Sequence, residues 1–143
     1  HPLDNIRPVA DEADVLSMQA TTEQVYIAPA LTRYIAQLAA KTRELAELKL
    51  GASPRAGLML VQAAKAHALV RGRDYVIPDD IQLLLTPVWA HRLLLTTEAR
   101  LSGETAEDLL RQTLQQIATP KQGAASPLTR TPGPVAAPDT RHA

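Results

Sequence analysis

Apolar and polar positions follow a helical period over much of this chain. In PALTRYIAQLAAKT, Leu31, Tyr34, Ile35, Leu38 and Ala39 fall at steps of three and four, which aligns them on one face. The spacing predicts a helix from Pro29 to about Ala46. A longer helix is expected from Pro54 to about Arg71, with Ser53 as its N-cap, Pro54 in its first turn and Gly72 as its stop. Ala56, Leu60, Ala63, Ala64 and Val70 give it a surface apolar almost all round, the mark of a central helix covered by its neighbours. A short helix is expected over Asp11 to about Thr21, with Val15, Leu16 and Met18 as its apolar contacts. Pro78, Asp79 and Asp80 open a further helix with acids in the first turn. Pro87 breaks or restarts it, and PVWAHRLLL carries it on to about Thr96. Leu109, Leu110, Leu114 and Ile117 share a face of a last helix over about Glu104 to Ala118. VYIA (25–28) and DYVI (74–77) read as short extended stretches and as the two halves of a two-strand clip. The expected fold is all-α: a small bundle of about five helices.

The two ends differ from this middle. Pro2 and Pro8 keep residues 1–10 from forming a helix, and HPLDNIRPVADEAD has neither an initiator Met nor a signal-peptide pattern. Residues 1–10 are therefore expected to be a linker from an upstream domain, and 11–118 the helical domain. From Thr119 the chain mixes Pro120, Pro127, Pro132, Pro134 and Pro138 with Ser, Thr, Gly and Ala. Such a stretch buries too little apolar surface to offset its ordering entropy, so 119–143 is expected to be a disordered Pro-rich tail.

Composition narrows the core and the partners. Hydrophobic residues make up 45% of 143 positions, yet there is no Phe, one Trp and three Tyr. The core must be aliphatic and alanine-rich, which favours packed helices over a β-sandwich. Lys plus Arg equals Asp plus Glu at 15 each, so no global basic field argues for nucleic acid. No Cys is present, which excludes disulfides and thiolate metal sites. No apolar run approaches the roughly 18 residues of a membrane span.

Candidate chemistry is sparse. No GxxxxGK[ST] loop, HExxH or GxSxG occurs. Of the four His, His67 and His91 fall on helices without a second ligand at metal spacing and read as structural. Helix capping explains Asp79 and Asp80, and Trp89 reads as a core or interface anchor. Lys65, His67 and Arg71 read as scattered and solvated. Arg55 stands out. It follows Ser53 and Pro54 at a helix start, where the backbone already carries about half a positive charge and acids are the usual occupants. On residue chemistry alone two readings stay open. Arg55 is an exposed side chain whose stem swings its charge away, or it joins the free N–H groups in an anion site.

Several motifs in order then bear on that choice. LGASPRA ahead of an Ala-rich helix, RGRDYVIPDDI, PVWAHRL and LSGETAEDLLRQTL, with HPLDNIRPV and LAAKTRE before them, resemble the C-terminal lid domain of the MoxR branch of AAA+ ATPases. The resemblance covers roughly residues 1–120. It implies an AAA+ lid fold and makes Arg55 the sensor-2 residue, projecting onto ATP held by a neighbouring large domain. Gly51, Ala52, Ser53 and Pro54 would shape the turn that aims it. The resemblance further implies a chaperone-like, hexameric, cytoplasmic ring ATPase, with neighbouring subunits and von Willebrand A-domain proteins as partners. It implies no nucleic acid and no membrane insertion. Mg2+ would be bound by the large domain, which carries the P-loop, so this segment should be inactive alone. One departure is Ile77, where such lids often have Thr; it weakens the expected cap of the helix at Pro78. The alternatives are the lid of another AAA+ branch, of magnesium chelatase or helicase type, and a free-standing helical interaction module.

Overall fold

Local capping sets most of the boundaries in the computed structural model, which describes residues 8–120. The expected linker up to residue 7 and the expected tail from 121 lie outside the described residues. Six α-helices occur among the described residues. Asp11 caps α1 (Glu12–Gln24) in a reciprocal box with Asp14, each carboxylate accepting the other's backbone N–H at 2.9 Å. α2 is Pro29–Thr42, α3 Pro54–Val70, α4 Pro78–Trp89, α5 Thr97–Leu101 and α6 Ala106–Gln116. Ser53, Thr96 and Thr105 each cap their helix by accepting the third residue's N–H. Gly72 ends α3 at φ +72°, the left-handed conformation glycine adopts without strain.

α3 is the central helix. Ala56, Leu60, Ala64 and Ala68 form a buried ridge at steps of four, and three of the four are small enough to let neighbouring helices approach closely. α1, α2 and α4 pack against α3, and α6 closes the bundle against α2 and α4. Leu31, Tyr34, Ile35 and Leu38 of α2, Ile81, Leu85 and Trp89 of α4, and Leu110 of α6 fill the core.

Several expectations need correction. α1 buries no residue: Val15, Leu16 and Met18 are 47, 57 and 54% exposed, because the helix docks on α3 through its C-terminal end, where Lys65 Nζ donates to the Glu23 carbonyl at 2.9 Å. Lys65 is thus not simply solvated. Val70 lies at the end of α3, off its buried ridge, and is exposed. α2 stops at Thr42, not Ala46, because the chain must turn to place Leu48–Leu50 as a strand, β1. α4 runs through Pro87 but ends at Trp89, short of the expected Thr96, soon after a ring that removes an N–H and crowds the preceding turn. A 3-10 turn over Ala90–Arg92 follows, then β2 (Leu94–Leu95), antiparallel to β1. Residues 94–95 are therefore strand where helix was expected. The clip between VYIA and DYVI is present as one parallel bridge, Tyr26 to Tyr75, while the two-stranded sheet is made elsewhere, by β1 and β2.

Candidate functional site

The turn ahead of α3 is built into the body of the domain. The Thr42 hydroxyl, fully buried at the end of α2, donates to the Ala39 carbonyl at 2.8 Å. The same oxygen accepts the Ala52 N–H at 2.9 Å, and Ala52 is itself fully buried. Gly51 lies so close to α2 that a Cβ there would fall 2.8 Å from the Arg43 nitrogen and the Thr42 carbonyl carbon. Ser53 Oγ then accepts the Ala56 N–H at 3.2 Å, and Pro54 opens the helix. From the other side, the Trp89 indole N–H donates to the Ala56 carbonyl at 2.9 Å. Trp89 is thus the core anchor expected of it, and it anchors the start of α3.

Arg55 stands between these two fixed points. It is exposed, in a first turn that holds no acidic residue, and no ion pair engages it among the described residues. Gly51, Ala52, Ser53, Pro54 and Arg55 therefore form one continuous structure, with the first two residues buried and the last three exposed. Arg55 lines neither of two surface depressions of about 310 and 290 Å³, the second of which begins one turn further along α3 at Leu58. A ligand held by Arg55 would take its other wall from another surface.

A second polar cluster lies at the far end of α3. Asp80, 2% exposed, receives two N–H groups from Arg73 at 2.6 and 2.9 Å and the Ile77 backbone N–H at 2.9 Å. His67 Nδ1 sits 2.7 Å from Asp80 Oδ1. An ionised carboxylate only accepts, so the proton is on Nδ1. Burial pushes the Asp80 carboxyl up, but hydrogen bonds from Arg73, Ile77 and His67, together with the Arg73 charge, outweigh it and hold the group below the usual carboxylate range. Capping is therefore half of what Asp80 does: it accepts the N–H of the N-cap residue Ile77, the half of a capping box that needs no polar N-cap side chain, and it pins α3 to α4. His67 is accordingly a hydrogen-bond partner of Asp80, not a solvated side chain. Every Asp80 lone pair is taken, which suits a structural tie rather than proton transfer. Among the described residues no group of His, Asp or Glu could hold a metal ion. No helix among them is long and apolar enough to cross a membrane.

Residues 40–113 match the AAA lid domain family, a span that contains the whole turn from Gly51 to Arg55 and the Asp80 cluster. This chain is an AAA+ lid domain of the MoxR family. Chaperone MoxR1 of Mycobacterium tuberculosis is 34% identical over 127 residues, which are 82% of this chain and 34% of that protein. The uncharacterized protein YeaC of Bacillus subtilis is 37% identical over 125 residues, 87% of this chain and 39% of YeaC. The lid thus spans little more than a third of these relatives. The crystal structure of a "putative ATPase" from Cytophaga hutchinsonii superposes with a TM-score of 0.72 at 30% identity, over 76% of the lid and 36% of that chain. Sequence reasoning passed over Thr42 in the site. Its one signal is a polar β-branched residue closing the apolar stripe of α2, in Lys41-Thr42-Arg43.

Proposed function

We infer that this lid serves a MoxR-like ring ATPase, and that Arg55 is its sensor-2 residue, contacting the terminal phosphates of ATP. The observation that carries the reading is an exposed guanidinium, with no ion pair among the described residues, on a helix start whose backbone is held from two sides. The fit to the anion is chemical. The helix dipole and the Arg55 backbone N–H, with Pro54 lacking one and the Ala56 N–H taken by Ser53, stand beside a planar two-pronged donor, which Lys would not replace. Gly51, Ala52, Ser53 and Pro54 form the scaffold of the contact. Mg2+ and the attacking water would be handled by a large domain upstream of His1. Bound ATP supplies the phosphoryl group. Arg55 stabilises charge as it develops there, and the lid moves with nucleotide state. The same reading extends to a cytoplasmic hexamer and a chaperone-like role, with adjacent subunits and von Willebrand A-domain proteins as partners.

ATP turnover by the full-length protein, with and without Arg55→Ala, tests this. A loss of about tenfold or more, equivalent to about 1.4 kcal/mol of transition-state stabilisation, in a folded and assembled variant supports the sensor. Unchanged turnover makes Arg55 an ordinary surface residue.

A further inference from the structure

We propose that Thr42 is a positioning residue for Arg55, setting through one hydroxyl the placement of the turn from which the guanidinium reaches nucleotide. This rests on the reading of Arg55 as nucleotide-facing.

The geometry makes Thr42 more than a buried filler. A hydroxyl has one proton and two lone pairs. The proton goes to the Ala39 carbonyl at 2.8 Å, inside α2, which fixes the rotor and turns a lone pair toward Ala52. The Ala52 N–H meets it at 2.9 Å, three residues before Arg55. Ala52 is fully buried, so no water replaces that acceptor if it is lost. The contact is also tight: Gly51 leaves no room for a Cβ against the Thr42 and Arg43 backbone. With Trp89 holding the Ala56 carbonyl from α4, the backbone at Arg55 has its height set by α2 and its direction by α4. Misplacing a charge-stabilising group by about 1 Å can cost up to about a hundredfold in rate. The hydroxyl is thus a control on catalysis that touches no substrate.

The test compares Thr42→Val, Thr42→Ser and Arg55→Ala, singly and with Thr42→Val combined with Arg55→Ala, in the full-length protein. It reads kcat and KM for ATP with thermal melting alongside. Valine keeps the shape and loses both hydrogen bonds; serine keeps both. The expected result is a loss of about tenfold in kcat/KM for Thr42→Val, near-complete recovery in Thr42→Ser, and little further loss when Thr42→Val is added to Arg55→Ala. Full turnover in Thr42→Val beside a crippled Arg55→Ala overturns the positioning role alone. So does a Thr42→Val loss that multiplies in full onto Arg55→Ala, since a purely structural defect would behave that way. Full turnover in Arg55→Ala overturns the sensor reading and this inference with it. Should Thr42→Val not fold, Gly51→Ala, which pushes the same turn off α2, takes its place with the same outcomes.

Discussion

Asp80→Asn removes one charge and exchanges one acceptor for a donor, at the point where α3 and α4 are tied. The side chain is 2% exposed and accepts from Arg73 twice, from Ile77 and from His67. An amide oxygen can serve at most half of these, and the new NH2 group faces N–H donors. Removing one partner of a buried pair costs roughly 3–5 kcal/mol. The Arg73 side chain keeps 21% of its exposure and can partly rehydrate, which brings the cost to or just under the low end of that range, about 2–3 kcal/mol. For a domain of this size that is a fall in Tm of about 8–13 °C. Urea unfolding followed by circular dichroism at pH 7 gives the value. Arg73→Met and the double variant complete the cycle, and the two changes should be strongly non-additive. The dependence on pH has a fixed sign. Asp80 ionises more readily in the folded chain than in the unfolded one, where its pKa is about 3.9. Its contribution is complete above roughly pH 5 and is lost as pH falls through the lower folded value, so wild type and Asp80→Asn converge in acid. A loss below about 1 kcal/mol at pH 7, or curves that stay parallel into acid, would refute the account of Asp80 as a buried tie.

Two further changes probe separate parts of the bundle. Gly72→Val should destabilise by about 1 kcal/mol or more, because Gly72 sits at φ +72° with open space around it, so the penalty is backbone strain and not a clash; an unchanged melting curve would remove the left-handed cap. Tyr34→Phe should leave the unfolding free energy equal or higher, by up to about 1 kcal/mol, since the buried phenol oxygen has no partner among the described residues; a clear loss of stability in urea unfolding would reveal a partner for that hydroxyl.

The helices that pack on the core were legible, and the segments that pack against nothing or pair at a distance were not. The stripe of α2, the cap of α3 and the apolar face of α6 follow from residue spacing and one or two side chains each. α1 carried apolar residues that suggested burial, yet its reciprocal Asp11–Asp14 cap holds it as a helix while Val15, Leu16 and Met18 stay exposed. β1 and β2 were missed because Leu48–Leu50 pairs with residues some 45 positions away, which no local pattern reveals. Asp80 was read from its own helix alone, whereas His67 and Arg73 reach it from 13 and 7 residues back. At the site, the turn was legible as a motif, but Thr42 enters from a different helix through a single hydroxyl.

Trp89 gives the lid an optical property that follows from its place in the fold. It is the chain's one tryptophan, fully buried, with its indole N–H on the carbonyl next to Arg55. Its fluorescence therefore belongs to a single site and starts from a dry, blue-shifted state. Any event that pulls the start of α3 away from α4 must alter that one hydrogen bond and so the emission. In this chain, the backbone beneath Arg55 carries its own spectroscopic label.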